Sequence, residues 1–328
     1  MAARHRVTRP RTNVNDLNMP AYRTWVLCCS VIALIGCASV PSHQSADAPQ
    51  LAITMDDLPV HGPLPPGETR ASLGRRILAA FKAARVPEVY GFVNGVQLER
   101  EPGSDSALTA WTAAGYPLGN HTWSHRNLNQ ISAEEFESEI ARNEATLQRF
   151  GGGELRRWLR FPYLVEGTDP AKRDSVRAAI VRRGYRIAAV TMDYSDWQWN
   201  DAYVRCLAPG REAALAALES AYLENVREAA NRSRTLSRAL YGRDIPYVLL
   251  THIGAFNARI MPRVLDLYRQ EGFRFTTLEA AQRDSVYRRD MEPSQPAGPT
   301  SLEARARQRC LPIPPRTDRS TMLSAVCK

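Results

Sequence analysis

The sequence has no long apolar run. The longest, residues 24–35 (TWVLCCSVIALI), covers twelve positions, and a membrane-spanning helix needs ~20. It has no G-x-G-x-x-G after its first β-like segment and no Walker loop, which weakens dinucleotide and nucleoside triphosphate binding. No internal repeat is present, so solenoids and propellers have no support. Six Cys in 328 residues are too sparse for a small disulfide scaffold. Disorder is also excluded, because 44% of the residues are hydrophobic and 23% charged, the proportions of a globular chain. What is present in excess is basic charge, +9 from 43 Lys and Arg against 34 Asp and Glu. Such an excess raises nucleic acid as a partner.

The N-terminal region changes that reading. Residues 1–23 carry Arg4, Arg6, Arg9, Arg11 and Arg23 with one acid, Asp16, ahead of the short apolar run. A basic region followed by a short apolar core is the pattern of a secretory signal, and Met19 offers an alternative start. The run ends Leu34-Ile35-Gly36-Cys37, which resembles the bacterial lipobox. The resemblance implies a signal peptide over 1–36, cleavage before Cys37 and lipidation of Cys37, hence attachment to a membrane. Ala38 in place of Asp implies the periplasmic face of the outer membrane of a Gram-negative cell. Residues 37–49, small and polar with Pro, read as a flexible tether. Without residues 1–36 the net charge falls from +9 to +5, and nucleic acid drops out as an expected partner. The remaining basic residues are scattered over helical faces.

From residue 50 onward, β-like runs alternate with amphipathic helical stretches. The strands are expected at 50–55, 89–94, 116–121, 158–163, 186–193, 247–252 and 273–278, with helices near 71–85, 132–149, 170–183, 211–240 and 258–271. Ser132 and Glu135 form a capping box at the start of one helix. This alternation argues for parallel strands joined by crossover helices, an α/β fold whose seven strands suit a distorted, incomplete (β/α) barrel. The domain is expected over 50–284, with a helical insertion at about 198–246. The Pro- and Arg-rich tail, 285–328, is expected to be peripheral to the core.

Reactive residues collect where these strands end. Asp56 and Asp57 close the first, His121 and His125 the third, Arg160 with Pro162 and Tyr163 the fourth, Asp193 and Asp196 with Trp197 the fifth, and Leu250 and His252 the sixth. In a barrel of parallel strands these ends converge on one face. Singly each is weak: an i, i+4 His pair is more often structural than metal-binding. Five clusters at comparable strand positions are a different matter.

The ordered set TMDD (54–57), HTWSH (121–125), RFPY (160–163), DYSDW (193–197) and LLTH (249–252) resembles the NodB-type polysaccharide deacetylases, carbohydrate esterase family 4. The likeness spans about 50–280. It implies a divalent metal, of which zinc fits an Asp/His/His donor set and cobalt, nickel, iron or manganese remain open. The implied ligands are Asp57, His121 and His125. Asp56 takes the place of the catalytic base acting on a metal-activated water, and Arg160 orients it. The Tyr163 backbone N–H is the implied oxyanion donor and His252 the general acid. Asp196 is the chosen carboxylate partner of His252, with Asp193 in competition. Trp197, Leu250 and Pro162 are expected to contact substrate. Trp199 is left open between pocket and core. The implied substrate is an N- or O-acetylated polysaccharide or oligosaccharide of the envelope, with no obligate protein partner.

Departures from the pattern matter. Leu58 stands where the family has Gly, which predicts a reshaped loop beside Asp56, and Leu164 replaces a Gly after Tyr163. Leu58 also keeps a second reading open, a catalytically silent glycan-binding envelope lipoprotein, and hydrolysis of another amide or ester by the same site is a third. Outside the signal, Cys206, Cys310 and Cys327 remain as thiols in an oxidising compartment. The expected pair is Cys310–Cys327, with Cys206 free.

Overall fold

The first strand, β1 (Gln50–Leu58), is buried over almost its whole length, as a central parallel strand must be. The computed structural model describes residues 48–151, 157–291 and 301–328. The signal, Cys37 and nearly all of the tether lie outside the described residues. Among the described residues no helix is long and apolar enough to cross a membrane.

The remaining strands are β2 (Val89–Val93), β3 (Leu118–Asn120), β4 (Trp158–Leu159), β5 (Arg186–Ile187), β6 (Met192–Asp193), β7 (Tyr247–His252) and β8 (Arg274–Thr276). Every pairing is parallel. The order is β5-β4-β3-β2-β1-β7-β6, with β8 beside β1. β7 pairs one edge of β1 from Leu51 to Asp56. The other edge is shared, β8 taking Gln50–Ala52 and β2 taking Ile53 to Leu58. This is a curled parallel half-barrel flanked by helices, the fold class expected.

The expected strand 186–193 is in fact two. Arg186–Ile187 pairs with β4 and Met192–Asp193 with β7, at opposite ends of the sheet. Between them the chain crosses the gap, anchored by Ala188 N–H on Leu159 O and Thr191 N–H on Val248 O. One short segment thus supplies both open edges of the barrel.

The helices follow their caps. Thr69 and Ser72 form a capping box on Arg70–Ala83, and Ser132 and Glu135 form the expected one on Ala133–Arg149. Asp169 caps Pro170–Arg182, whose first residue is Pro. Within the 198–246 segment, Glu212–Tyr241 is a helix of 30 residues. It ends at Gly242, whose φ of 72° suits a residue without Cβ.

The tail corrects two expectations. It is not peripheral: Leu302, Ala306 and Leu323 are buried in the main apolar core. The helix Leu302–Gln308 packs on Glu212–Tyr241. Its Leu and Ala face apolar neighbours while its Arg residues face outward or pair, which hides an apolar stripe in an Arg-rich sequence. The disulfide also differs. Cys327 is bonded to Cys206, and Cys310 is the exposed free thiol. The tail folds back so that Arg205 donates to the carbonyls of Leu323 and Val326. That contact brings Cys327 to Cys206, while Cys310 stays exposed. Closeness in sequence misled the pairing.

Candidate metal centre

Asp57 occupies a left-handed backbone position, φ 62°. Such a conformation is strained for a residue with a Cβ and collects at functional sites. It separates two adjacent carboxylates. Asp56 stays in the pairing register of β1 opposite His252, and Asp57 swings toward the loops after β3. Thr122, His125, Tyr163, Leu164 and Ser195 also have positive φ, between 52° and 65°, so the loops around the site are all sharply turned.

The Asp57 carboxylate meets two imidazoles. Its Oδ1 lies 3.6 Å from His121 Nε2 and 3.5 Å from His125 Nε2. One donor atom from each of the three residues falls within 4.8 Å of the others. His121 Nδ1 donates to Arg160 O at 2.8 Å, which turns the Nε2 lone pair toward Asp57. Burial holds both His121 and His125 down at about 4, so both are neutral near pH 7. Burial opposes ionisation of Asp57, but the hydrogen bond from His61 and the charge of His252 prevail, and its pKa lies well below the carboxylate range. Oδ1 is buried and has no hydrogen-bond partner among the described residues.

An orphaned carboxylate oxygen facing two neutral imidazoles fits a divalent cation. The spacings are too long for hydrogen bonds and suit ligands each about 2.1 Å from a shared ion. The backbone carbonyl behind His121 is the usual outer support of such a ligand.

Asp56 sits behind this group, 2% exposed. Arg160, fully buried, places Nη1 3.2 Å from both Asp56 oxygens. Its other nitrogens are taken by Thr54 Oγ1 at 3.0 Å and Ala188 O at 2.8 Å. The chain crossing between β5 and β6 therefore helps to hold the arginine. Burial raises Asp56 to about 6, with Arg160 pulling the other way.

His252 faces Asp56 from β7. Its Nδ1 is 2.8 Å from Asp196 Oδ1 and its backbone N–H donates to Asp196 Oδ2 at 2.7 Å. Burial acts to lower His252, but the Asp196 charge and hydrogen bond raise it to about 10. Asp196, not Asp193, is the partner. Asp193 instead accepts from Ser195 N–H and lies 3.7 Å from Arg316 of the tail.

These groups open on one cavity of about 340 Å³. Asp56, Asp57, His121, His125 and His252 line it with Asp193, Tyr163, Leu164, Trp197 and Leu250. Tyr163 and Trp197 are 62% and 51% exposed. Arg160 and Asp196 support the lining from behind. Pro162 is a correction: it is buried in the turn Pro162–Leu164 and does not line the cavity. The turn presents Tyr163 and Leu164 instead. Trp199 is resolved as core, 1% exposed and edge-on to Tyr222.

Leu58 does not carry the left-handed turn; Asp57 does. Leu58 is fully buried, and a Cβ on Gly91 would meet its Cδ2 at 2.5 Å. The departure fills space beneath β2 and leaves the lining of the cavity intact. Leu164 has φ 57°, so it keeps a conformation that glycine would favour.

Two residues went unread in the sequence. His61 donates from Nδ1 to Asp57 Oδ2 at 2.9 Å. Its place four residues after Asp57 is the only signal that points to it. Asn257 donates to Asp196 Oδ2 and to His252 O, the latter at 2.8 Å, and accepts from Tyr222 on the long helix. The 198–246 segment thus supports the His252 side of the site.

Residues 43–177 match the family model described as Polysaccharide deacetylase. That stretch contains Asp56, Asp57, His121, His125, Arg160 and Tyr163. No curated protein matches. Among solved structures, a mutant of a carbohydrate esterase family 4 pseudoenzyme with restored enzymatic activity superposes with TM-score 0.51 at 15% identity, over 72% of this chain and 68% of that one. The wild-type pseudoenzyme, from Bacillus anthracis, gives 0.51 at 14% identity over 72% and 66%. A family 4 carbohydrate esterase from Streptomyces lividans in complex with acetate gives 0.47 at 19% over 72% and 97%. At such identities the first two establish fold.

Proposed function

We propose that the chain is a divalent-metal-dependent hydrolase that removes acetyl groups from N- or O-acetylated polysaccharide of the cell envelope. The observation that carries this reading is a base, an acid and a three-ligand donor set around one cavity. Asp57, His121 and His125 would hold the ion, with zinc the best fit to the donors. A divalent ion there supplies Lewis acidity toward the acetyl carbonyl and acidifies water.

The rest is done by the chain itself. Asp56, kept in place by Arg160 Nη1 on both of its oxygens, accepts the proton of the attacking water. A carboxylate near pH 6 is close to the ideal for a base working at neutral pH. The Tyr163 N–H stabilises the oxyanion, a contribution of about 3 kcal/mol for one such donor. His252, protonated at neutral pH because of Asp196, gives a proton to the leaving amine or alcohol. Trp197 and Leu250 offer apolar surface to the acetyl methyl and the sugar face. Export, lipidation at Cys37 and residence at the periplasmic face of the outer membrane belong to the same proposal and rest on the N-terminal sequence.

The test is acetate release from peptidoglycan, chitin oligomers and acetyl-xylan, with metal analysis of the purified protein. Chelation should abolish release and added zinc restore it. Silence on the whole panel with metal restored would sink the reading.

A further inference from the structure

The loop after β1 is fastened more firmly than a surface turn needs. Arg70, 7% exposed, donates to the carbonyls of His61 and Gly62 at 3.3 and 2.9 Å and forks onto Glu101. From the other side, Asn200 Nδ2 donates to Pro63 O at 2.9 Å. Gly62 has φ 63°, and a Cβ there would meet Asn200 Nδ2 at 2.6 Å. All of these anchors grip backbone or glycine. None uses the imidazole of His61.

That imidazole is directed at the site. It lines the cavity, its ring centroid is 4.7 Å from that of His252, and its Nδ1 is 2.9 Å from Asp57 Oδ2. Asp57 is ionised and can only accept, so Nδ1 carries the proton. One carboxylate oxygen is thereby occupied and the other, Oδ1, is left facing His121 and His125.

We propose that His61 is a positioning residue for the metal centre: its Nδ1–H locks the Asp57 carboxylate into single-oxygen ligation through Oδ1. Without it, the carboxylate could rotate about its Cβ–Cγ bond and offer either oxygen or both. Outer-shell partners of this kind typically account for about 10- to 100-fold in metal affinity. The inference rests on the proposed centre at Asp57, His121 and His125, and not on the identity of the substrate.

Three substitutions in the full chain separate the donor from the ring. His61→Phe keeps a ring against His252 and removes the donor. His61→Asn puts an amide N–H near the position of Nδ1 and removes the ring. His61→Ala removes both. The readout is Zn²⁺ affinity, by competition with a chromophoric chelator. The backbone anchors remain in every variant, and unchanged circular dichroism verifies the fold. Phe and Ala should bind Zn²⁺ about 10-fold or more weakly, and Asn should restore most of the loss. Wild-type affinity in both Phe and Ala overturns the lock, and so does a wild-type chain that binds no Zn²⁺. Weakened binding in Phe and Ala, with no acetate released by any form, keeps the lock and rejects the deacetylase reading instead.

Discussion

Asp196 holds His252 by both its side chain and its main chain, with Oδ1 2.8 Å from Nδ1 and Oδ2 accepting the backbone N–H at 2.7 Å. The two contacts do different work. The first sets charge and tautomer, and the second fixes where β7 ends relative to the loop that carries Trp197. Asn257 and Tyr222 extend the support to the long helix, so orientation of the acid depends on a segment distant in sequence.

The first prediction concerns that pair. His252 is raised to about 10 by Asp196 against the lowering effect of burial. In Asp196→Asn the largest raising charge and its hydrogen bond are gone while burial remains, so the pKa should fall from about 10, with the charges of Asp57 and Asp56 still raising it. The alkaline limb of kcat should move down from near 10, and kcat above the new limb should drop as the acid is lost. A kcat profile across pH 5 to 10.5 measures this. The linked stability has the same sign: in wild type it is full below 6.5 and is lost as pH rises through about 10. An unmoved alkaline limb would remove His252 as the acid.

Asp56→Asn tests the base. The change keeps volume and the contact with Arg160 but cannot take a proton. Turnover should fall by about 10²- to 10⁴-fold, while zinc content stays at the wild-type level because Asp56 is outside the donor set. In wild type the acidic limb should lie at or below about 6, since a nearby cation favours the carboxylate. Acetate release and metal analysis on the same preparation check both halves. Retained turnover would assign the base elsewhere.

Much of this site was legible because its parts sit at strand ends, and strands leave a short-range pattern. Asp56, Asp57, His121, His125 and His252 needed only the alternation of elements to be gathered at one mouth. The split of 186–193 was not legible. Pairing with β4 or β7 is decided by the curvature of the whole sheet, and both halves carry the same β-like composition. The buried tail was hidden for a related reason. Leu302 and Ala306 form a stripe of only two residues in an Arg-rich stretch, and its partner face on Glu212–Tyr241 lies more than sixty residues earlier. His61 was missed because one imidazole in a Pro-containing loop carries no periodicity.

Leu58→Gly restores the residue that the deacetylase pattern has at this place, yet it should destabilise the chain. Leu58 is fully buried, with Cδ2 occupying the space above Gly91. Removing a buried leucine to alanine costs about 2–5 kcal/mol, and glycine in a strand adds about 0.5–1 kcal/mol. The melting temperature should drop by about 10 °C. Zinc affinity should change little, because the left-handed turn belongs to Asp57. A variant as stable as wild type would mean that Leu58 is not a packing residue.

The disulfide offers a test of the tail. Cys206 and Cys327 are separated by 121 residues and bonded, and Cys310 is exposed and free. Cross-linking a chain over so long a loop restricts the unfolded state by about 4–5 kcal/mol in the loop-entropy account. Cys327→Ser should therefore lower the melting temperature, and Cys310→Ser should not. Release of the tail also has a path to the site. Cys206 follows the helix Asn200–Arg205, which continues directly from the turn bearing Asp196 and Trp197. Arg316 of the tail donates to Ser195 Oγ at 2.6 Å and to the Asp193 carbonyl at 3.4 Å. Loosening that turn should disturb Asp196 more than the Asp57 centre, so reduction should lower kcat while zinc affinity holds. A non-reducing peptide map should recover Cys206 linked to Cys327, and maleimide should label Cys310 in the native protein. A map that instead joins Cys310 to Cys327 would free Cys206 and leave the tail held to the body by noncovalent contacts, among them Arg316 on Ser195, Arg319 on Glu228 and the apolar contacts of Leu302, Ala306 and Leu323.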